Sequence, residues 1–403
     1  MTDLALEGLK VLDFSWVAAG PKMTKYLADF GATVVRLEST KNACTIRVSA
    51  PFKDGVRGIN RSTYFVGMNT NKYSMALDLK NPKAKEVVHK FAKWADLCVE
   101  NFTAGKLERL GFGYEDLKKM KPDIIMLRTA NQGQTGPHAA HQGFGYHLSG
   151  VTGLLHFTGE AGGDPLPLPV AYSDMIAPPF GLAALFAALE YRDRTGKGQM
   201  IDVSQLETTI QFLTPGILDY EVNHKETGRK GNLCDSAAPH DAYRCLGKDR
   251  WCAITVFTDE QWGAFCRVVG NPVLEEERFR TLLGRKQHEE ELNLMVEAWT
   301  VNFTAEEVMK RLQEARVPAG VVQNGEDLSN DPQLHHRNYF WDLDHKEIGM
   351  YPHLGEPITL SETPPTGRMA APCLGEHTDY VCREILGMED YELEGLKMSG
   401  VFV

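Results

Sequence analysis

One carboxylate stands at the start of a long apolar stretch in the middle of the chain. In AYSDMIAPPFGLAALFAALEYRDRTGKGQ, residues 171–199, Asp174 precedes residues that are apolar on almost every side of a helix. Two interpretations are open. Asp174 caps the helix by accepting hydrogen bonds from its first N–H groups, which is the usual role of Asp at such a place. Alternatively, the helix N-terminus keeps the carboxylate ionised in a site with little water, where it acts as a nucleophile.

Composition excludes several classes of protein. The net charge of −11 over 403 residues argues against a nucleic-acid surface, which needs clustered Lys and Arg. The eight cysteines are scattered, with no CxxC and no His at zinc-site spacing, so we expect reduced thiols and no metal. The acidic N-terminus is unlike a signal peptide, and the apolar run from Met175 to Leu189 contains two prolines and is too short to span a bilayer. A cytoplasmic protein is expected.

Residues 10–38 predict a βαβ unit that would hold part of a site. A short apolar run from Val11 to Phe14 predicts a strand, Gly20 and Pro21 a turn and helix start, and residues 34–37 a second strand. The turn SWVAAGP lacks the G-x-G-x-x-G in which a dinucleotide pyrophosphate approaches the backbone. NAD binding is therefore not expected.

Further alternation predicts an α/β fold with a mostly parallel sheet covered by helices. Asn81 and Pro82 predict the cap and first position of a helix, and residues 97–99 and 124–127 predict strands. Residues 39–71 show no periodicity, and a long stretch of this kind usually lines a site or a subunit contact.

The pattern changes along the chain and predicts two domains. Residues 1–205 form the large domain, 206–227 a linker, and 228–325 a smaller α+β domain. In the smaller domain, AYRCLGKDRWCAITVF predicts two strands, and two capping boxes precede helices: Thr258 with Gln261, and Thr304 with Glu307. Residues 326–403 form a second linker and a C-terminal segment that returns to the large domain.

Several motifs in order give the chain a resemblance to a known family. They are LEGLKVLDFSWVAAGP, LADFGATVVRLE, NTNKYSMALDLKNP, ADLCVENFTAGKLERLGFGYEDL, GQTGP, ALEYRDRTGKGQMIDVS and LGEHTDYV. Together they resemble the family III coenzyme A transferases of the CaiB/BaiF type, which include formyl-CoA, carnitine-CoA and benzylsuccinate-CoA transferases. The resemblance implies a Rossmann-like large domain built from both chain ends, a small α+β domain, and two interlocked subunits that form a homodimer or a heterodimer.

The resemblance also implies a mechanism and site residues. The family's catalytic Asp falls on Asp174, which now favours the nucleophile over the cap. Its carboxylate would attack an acyl-CoA, form a mixed anhydride and then an aspartyl-CoA thioester, and pass CoA to an acceptor acid. Coenzyme A enters as part of the substrate, and no metal is needed. The family's CoA contacts fall on Val17, Ala18, Ala19, Leu77, Asn101, Phe102 and Arg109. Lys72 is a weaker candidate for a phosphate contact.

Other roles follow less directly. Backbone N–H groups near Gly133 and Gly136 are candidates for stabilising an oxyanion, although a plain turn is the alternative. Four aromatic residues favour a bulky acceptor acid such as benzylsuccinate: Trp16, Phe144, Tyr146 and Phe180. Succinyl-CoA is the matching donor.

The sequence departs from the formyl-CoA transferases at three places. Ser39 and Thr40 stand where an Arg follows the acid of the second strand, so the nucleotide contact must differ. Pro178 replaces a Gly four residues after the catalytic Asp. The family's glycine-run lid has no clear match in GRKGNLCDSAAPHDAY.

Two alternative functions remain open. An acyl-CoA racemase of the same fold needs a His in a GHD motif, but Phe144 stands there and His147 lies three residues further on. A non-catalytic subunit of a heteromeric transferase is the other alternative, although retention of Asp174 speaks against it.

Overall fold

A parallel sheet is the centre of the computed structural model, which describes residues 4–403. Within these residues its six strands are β1 (Lys10–Asp13), β2 (Thr33–Glu38), β3 (Lys72–Ala76), β4 (Leu97–Glu100), β5 (Ile125–Ala130) and β6 (Met200–Ser204). They are ordered β3-β2-β1-β4-β5-β6, and every neighbouring pair is parallel. This is the doubly wound Rossmann order, with its switch point between β1 and β4. The predicted fold class is confirmed.

Five further strands in residues 4–403 lie outside the main sheet. They are β7 (His240–Arg244), β8 (Trp251–Thr255), β9 (Ala319–Val321), β10 (Phe340–His345) and β11 (Gly349–Leu354). β7, β8 and β9 form an antiparallel sheet, and β10 and β11 form a hairpin.

Helices connect and cover these strands. The first ten are α1 (Ala19–Asp29), α2 (Thr63–Val66), α3 (Ala84–Trp94), α4 (Lys106–Leu110), α5 (Tyr114–Met120), α6 (Gly145–Val151), α7 (Leu154–Phe157), α8 (Tyr172–Thr195), α9 (Gln205–Ile210) and α10 (Thr214–Asn223). The others described are α11 (Asp259–Val269), α12 (Leu282–Gln287), α13 (Glu289–Thr300), α14 (Ala305–Glu314), α15 (Gly325–Ser329), α16 (Pro332–His336), α17 (Thr378–Tyr380) and α18 (Asp390–Met398).

The chain divides into two compact units. Among the described residues, the first comprises 4–155, 167–226 and 333–403, and so draws on both ends of the chain. The second comprises residues 156–166 and 227–332. The predicted small domain, 228–325, lies inside the second unit, but the segment 156–166 was not part of that prediction.

Both faces of the main sheet are buried, as a parallel sheet requires. Alternate residues of β1 belong to different hydrophobic clusters: Leu12 lies in the cluster that includes α3 and α18, and Val11 in the cluster that includes α1 and α8. Leu185 and Ala188 of α8 belong to the same cluster as Val11, so α8 is a core helix on that face.

Some predicted elements have different boundaries. The predicted cap at Asn81 and first position at Pro82 are wrong: α3 begins at Ala84 after Lys83, and the Asn81 side chain accepts a hydrogen bond from the Lys83 N–H in the preceding turn. The predicted capping boxes at Thr258 and Thr304 are both present. Strands β3 and β6 were not predicted.

Candidate active site

Asp174 lies in the first turn of α8 rather than before it. The helix begins at Tyr172, the N-cap residue is Ala171, and no side chain caps this helix end. The capping interpretation is therefore wrong. Pro178 and Pro179 lie inside the helix, beyond its first turn. A proline there removes the N–H that would bond to the carbonyl four residues earlier, so the Asp174 carbonyl loses its helical partner.

Three other segments surround the Asp174 carboxyl group, which is only 7% exposed. A Cβ built on Gly145, at the start of α6, would lie 2.7 Å from Asp174 Oδ2. The side chain of Gln205, the first residue of α9, lies close enough to the carboxyl group to lower its pKa. Burial and, to a smaller extent, the charge of Asp174 raise the pKa of Tyr64 in α2. Residues far apart in the chain thus meet at one carboxylate.

Burial dominates the electrostatics of Asp174. It raises the pKa of this carboxyl group to about 6, and the polar side chain of Gln205 offsets only part of the effect. Within residues 4–403, Asp174 forms no ion pair with a lysine or arginine. At pH 7 the group is mostly ionised but poorly solvated, which suits a nucleophile.

Helix α6 is oriented by its small residues. Gly145 and Ser149 are one turn apart on the buried face, and Ser173 Oγ donates a hydrogen bond to the Gly145 carbonyl over 3.2 Å. His147, two positions from Gly145, lies on the opposite, exposed side, where its Nδ1 accepts from the Phe144 N–H at 3.4 Å. This orientation gives no support to the proton exchange that a racemase needs.

A cavity of about 270 Å³ opens at the carboxyl ends of strands β1 to β4. In a doubly wound sheet this edge, at the switch point, is where ligands bind. Its lining residues are Trp16, Leu37, Glu38, Ser39, Lys41, Asn42, Leu77, Asp78, Leu79, Lys80, Phe102, Lys106, Arg109 and Leu110. The cavity therefore combines an apolar interior with four basic side chains.

Three of the residues predicted to bind CoA line this cavity: Leu77, Phe102 and Arg109. Sequence reasoning missed the three lysines beside them. Helical spacing could have indicated Lys106, since it lies one turn before Arg109 in α4 and its ammonium group lies 4.1 Å from the Phe102 ring centre. Lys41 follows β2 in the stretch without periodicity, so no pattern pointed to it.

The other predicted CoA contacts lie in and beside the β1–α1 turn. Ala18 and Ala19 are buried at the start of α1. Asn101 ties the turn to β4 by accepting from the Trp16 N–H at 2.7 Å and donating to the Trp16 carbonyl at 2.6 Å. Val17 has a φ of +62°, a strained backbone for a β-branched residue, of the kind that clusters at functional sites.

Lys72, the weaker candidate for a phosphate contact, lies inside the protein. Its ammonium group is fully buried at the start of β3 and donates to the Pro21 carbonyl at 2.8 Å and to Asn69 Oδ1 at 2.9 Å. Burial lowers its pKa to about 7. Because these protein oxygens already take its hydrogen bonds, Lys72 is a structural residue of the first unit and not a phosphate ligand.

The glycines named as oxyanion candidates lie in the turn after β5. Both have positive φ, 83° for Gly133 and 95° for Gly136. The intervening Gln134 donates its N–H to Asp202 at 2.9 Å, which fixes the turn against β6. Their role as oxyanion donors stays a prediction.

Two further properties concern the described residues as a whole. No group of three or more His, Cys, Asp or Glu side chains in residues 4–403 could hold a metal ion. Helix α8 is long and apolar enough to cross a membrane by length and composition, but half of its apolar window is buried, as in the core helix of a globular protein.

The chain is similar in sequence and fold to known proteins. A sequence model described as CoA-transferase family III matches residues 6–378. The chain is 32% identical to succinyl-CoA:glutarate CoA-transferase of Mus musculus, over 98% of this chain and 90% of that protein. It is 30% identical to the succinyl-CoA–L-malate CoA-transferase beta subunit of Chloroflexus aurantiacus, over 99% and 98%. A CaiB/BaiF family protein from Brucella suis superposes with a TM-score of 0.86 at 28% identity, over 95% of this chain and all of that one.

Proposed function

The chain belongs to CoA-transferase family III and is a CoA-transferase, and we propose that Asp174 is the residue that carries first the acyl group and then CoA. The observation that supports this most is the state of that carboxyl group: it is 7% exposed, it has no cationic partner within residues 4–403, and its pKa is raised to about 6. A carboxylate that is ionised but poorly solvated is a better nucleophile than one in water or in an ion pair.

The proposed reaction uses four displacements. Asp174 attacks the thioester carbonyl of the donor acyl-CoA, the C–S bond breaks, and an aspartyl mixed anhydride and CoA thiolate form. The thiolate attacks the aspartyl carbonyl, and the donor carboxylate leaves. The acceptor carboxylate then displaces the thiolate from the aspartyl-CoA thioester, and the thiolate finally attacks the acceptor acyl group. Asp174 is regenerated, and no proton or redox partner is required.

Coenzyme A is proposed to bind in the cavity at the ends of β1 to β4. Its phosphates would meet the basic groups of Lys41, Lys80, Lys106 and Arg109, and Leu77 and Phe102 would contact its apolar parts. Lys41 is close enough in the chain to Ser39 and Thr40 to replace the arginine that formyl-CoA transferases carry there. Val17, Ala18, Ala19 and Asn101 would contribute the backbone of the adjoining turn.

We propose succinyl-CoA as the donor and a dicarboxylic acid as the acceptor. Both curated relatives described above are named for succinyl-CoA, and their acceptors, glutarate and malate, are dicarboxylates. Benzylsuccinate remains a candidate because it is also a dicarboxylate. The aromatic residues give little support for benzylsuccinate as the acceptor. Trp16 lines the cavity proposed for CoA, and the other three are exposed: Phe144, Tyr146 and Phe180.

A dimer in the cytoplasm is part of the proposal. Helices α8 and α10 expose large apolar side chains in the single chain, notably Phe186 at 46% and Val222 at 74%. Apolar surface of this kind is typical of a subunit interface. One relative is named as a beta subunit, so a heterodimer with a homologous chain stands beside the homodimer.

Trapping of the covalent intermediate tests the proposed function. The purified protein is incubated with succinyl-CoA, treated with hydroxylamine, digested and analysed by mass spectrometry. We expect a hydroxamate on the peptide that contains Asp174, absent in Asp174→Asn and retained in Asp193→Asn, a matched change in the same helix at an exposed position. Steady-state exchange is then measured with glutarate, malate and benzylsuccinate.

Each alternative gives a different result in the same assay. Modification of another residue would move the nucleophile elsewhere. A chain that exchanges no CoA alone but does so with a homologous partner would be a non-catalytic subunit. Inversion of a chiral 2-methylacyl-CoA without transfer to an acid would indicate a racemase.

A further inference from the structure

Helix α4 carries two of the basic side chains of the cavity but is too short to hold them in place alone. Its five residues lie between Gly105 and Gly111, and both glycines have a left-handed backbone, with φ of 75° and 80°. An isolated helix of this length is not stable in water, so contacts with the rest of the unit must fix its position. Leu107, which is buried in the hydrophobic core, supplies one such contact.

A second contact is ionic and joins α4 to strand β5. Arg128 of β5 donates from Nη1 to Glu108 Oε1 at 2.5 Å and from Nη2 to Glu108 Oε2 at 3.1 Å. Its Nε donates to Oε1 of Glu100, at the end of β4, at 2.5 Å. The other oxygen of Glu100 accepts from the Phe102 N–H at 2.7 Å. One guanidinium group therefore connects β5, the end of β4 and α4.

The Glu108 side chain is held in one direction. A Cβ built on Gly113 would lie 2.8 Å from Glu108 Cγ, so the glycine leaves the space that this side chain occupies. Because both carboxylate oxygens meet the planar guanidinium group, the contact sets the rotation of α4 as well as its distance from β5. Arg109 is the next residue and Lys106 is two positions earlier, so the rotation of α4 decides where both basic groups point.

Charge balance does not explain the carboxylate of Glu108. Glu100 alone compensates the charge of Arg128, and its side chain is fully buried, whereas that of Glu108 is 44% exposed. An ion pair with such an exposed partner contributes little to stability. A further carboxylate next to a phosphate site also weakens the attraction for phosphates. The orientation of α4 is what the contact between Arg128 and Glu108 adds to the protein.

We propose that Arg128 is a positioning residue for coenzyme A, which holds α4 through Glu108 so that Lys106 and Arg109 face the phosphates. This rests on the proposed CoA site at the ends of β1 to β4. Arg128 is not among the described residues that line that cavity, so it acts through α4 and not by touching the substrate. Basic groups that are already oriented lose less conformational freedom when the phosphates bind.

Glu108→Gln removes the exposed carboxylate and leaves the buried pair of Arg128 with Glu100 in place. We expect the KM for succinyl-CoA to rise roughly 5- to 20-fold with kcat nearly unchanged, because ground-state binding of the phosphates is weakened. The midpoint of thermal unfolding should stay within about 2 °C. Glu115→Gln is the matched control, since Glu115 is exposed in the neighbouring helix α5 and should keep the KM of the unchanged protein.

Succinyl-pantetheine distinguishes positioning from a general structural role. This thioester has the same reacting group as succinyl-CoA but carries no phosphate. If Glu108→Gln only misplaces the basic groups of α4, the KM for succinyl-pantetheine should change by less than about 2-fold. A loosened fold would impair both substrates.

Arg128→Lys tests the other partner of the same contact. The lysine keeps a positive charge beside Glu100 but cannot bind Glu108 through two parallel N–H groups. We expect a rise in the KM for succinyl-CoA similar to that of Glu108→Gln. The double variant should be no worse than the poorer single variant, because both changes break one contact. Independent, additive increases in the double variant would contradict the inference.

Arg109→Ala separates a failure of this inference from a failure of the proposed function. If it leaves the KM for succinyl-CoA unchanged, CoA binds elsewhere, and the proposed CoA site and this inference are both wrong. If it raises that KM but Glu108→Gln and Arg128→Lys do not, only the positioning role is wrong. If these two variants impair both thioesters equally, or lose stability together with activity, Arg128 is a structural residue. Trapping of the hydroxamate on Asp174 tests the nucleophile independently of these results.

Discussion

Two buried carboxylates in the same unit have opposite surroundings. Glu38, at the end of β2, is fully enclosed, but Arg47 Nη2 lies 2.7 Å and Arg36 Nε 3.2 Å from its Oε2. Despite its burial, these two guanidinium groups lower its pKa to about 2. Asp174, at the start of α8, has no such partner within residues 4–403, and burial raises its pKa to about 6.

The difference shows how the same physical event, desolvation, can serve structure or chemistry. A buried carboxylate with two cations is held in place and is a poor nucleophile, because its charge is already compensated. A buried carboxylate without a cation keeps a reactive charge at the expense of stability. Glu38 also ends the second strand, where a dinucleotide-binding fold would use an acid for ribose, but its carboxylate is occupied by the arginines.

Replacement of the uncompensated carboxylate should give the largest effect. Asp174→Asn is expected to reduce transfer by roughly 10⁴-fold or more, since the covalent route is lost. The same change should stabilise the fold at pH 8. A native pKa of about 6 against 3.8 in the unfolded chain means that ionisation disfavours the native state by about 3 kcal/mol once the pH exceeds both values.

Urea unfolding at pH 4 and pH 8 measures the increase in the free energy of unfolding expected for Asp174→Asn. At pH 4 the native carboxyl group is largely protonated, so the stabilisation should be much smaller there than at pH 8. Asp193→Asn, at an exposed position of the same helix, should change neither activity nor stability appreciably. An Asp174→Asn variant less stable than the parent at pH 8 would contradict the assigned surroundings.

Replacement of Glu38, the carboxylate that is paired with two arginines, should destabilise the fold. Glu38→Gln leaves Arg36 and Arg47 buried without their counter-ion and is expected to reduce the free energy of unfolding by about 3–5 kcal/mol at pH 7. Because the native pKa of Glu38 is depressed, its contribution is present above pH 4.5 and is lost as the pH falls towards 2.

Glu86→Gln is the matched control, since its ion pair with Lys83 is exposed and should contribute less than about 1 kcal/mol. Chemical unfolding of both variants at pH 7 gives the comparison. If the two variants lose the same free energy of unfolding, burial does not make the ion pairs of Glu38 more important for stability than an exposed pair.

The pH dependence of the reaction gives the smallest but most direct test. Only ionised Asp174 attacks the thioester, so kcat/KM should decrease as the pH falls, with a midpoint near 6. The profile is measured between pH 4.5 and 8 with succinyl-CoA below its KM. A midpoint close to 4 would show that Asp174 is solvated or paired in the functional enzyme.

Local pattern was sufficient for the long, apolar elements but not for two strands of the main sheet. β1, β2, β4 and β5 are apolar runs between turn signals, as buried parallel strands require. β3 has the sequence KYSMA and includes the buried Lys72 and Ser74, so no apolar run marks it. β6 lies at the sheet edge with partly exposed residues and contains Asp202. Their pairing with neighbours, rather than their composition, makes them strands.

By itself the sequence determined the α/β class, the apolar helix behind Asp174 and the order of motifs that identifies the family. Only the tertiary structure decided which buried carboxylate is compensated, that Lys72 is internal, and that Gly145 and Gln205 reach Asp174. The reason is physical: helix and strand patterns depend on neighbours along the chain, whereas the pKa and reactivity of a carboxylate depend on water and charges a few ångströms away in space. Packing between distant segments sets those neighbours.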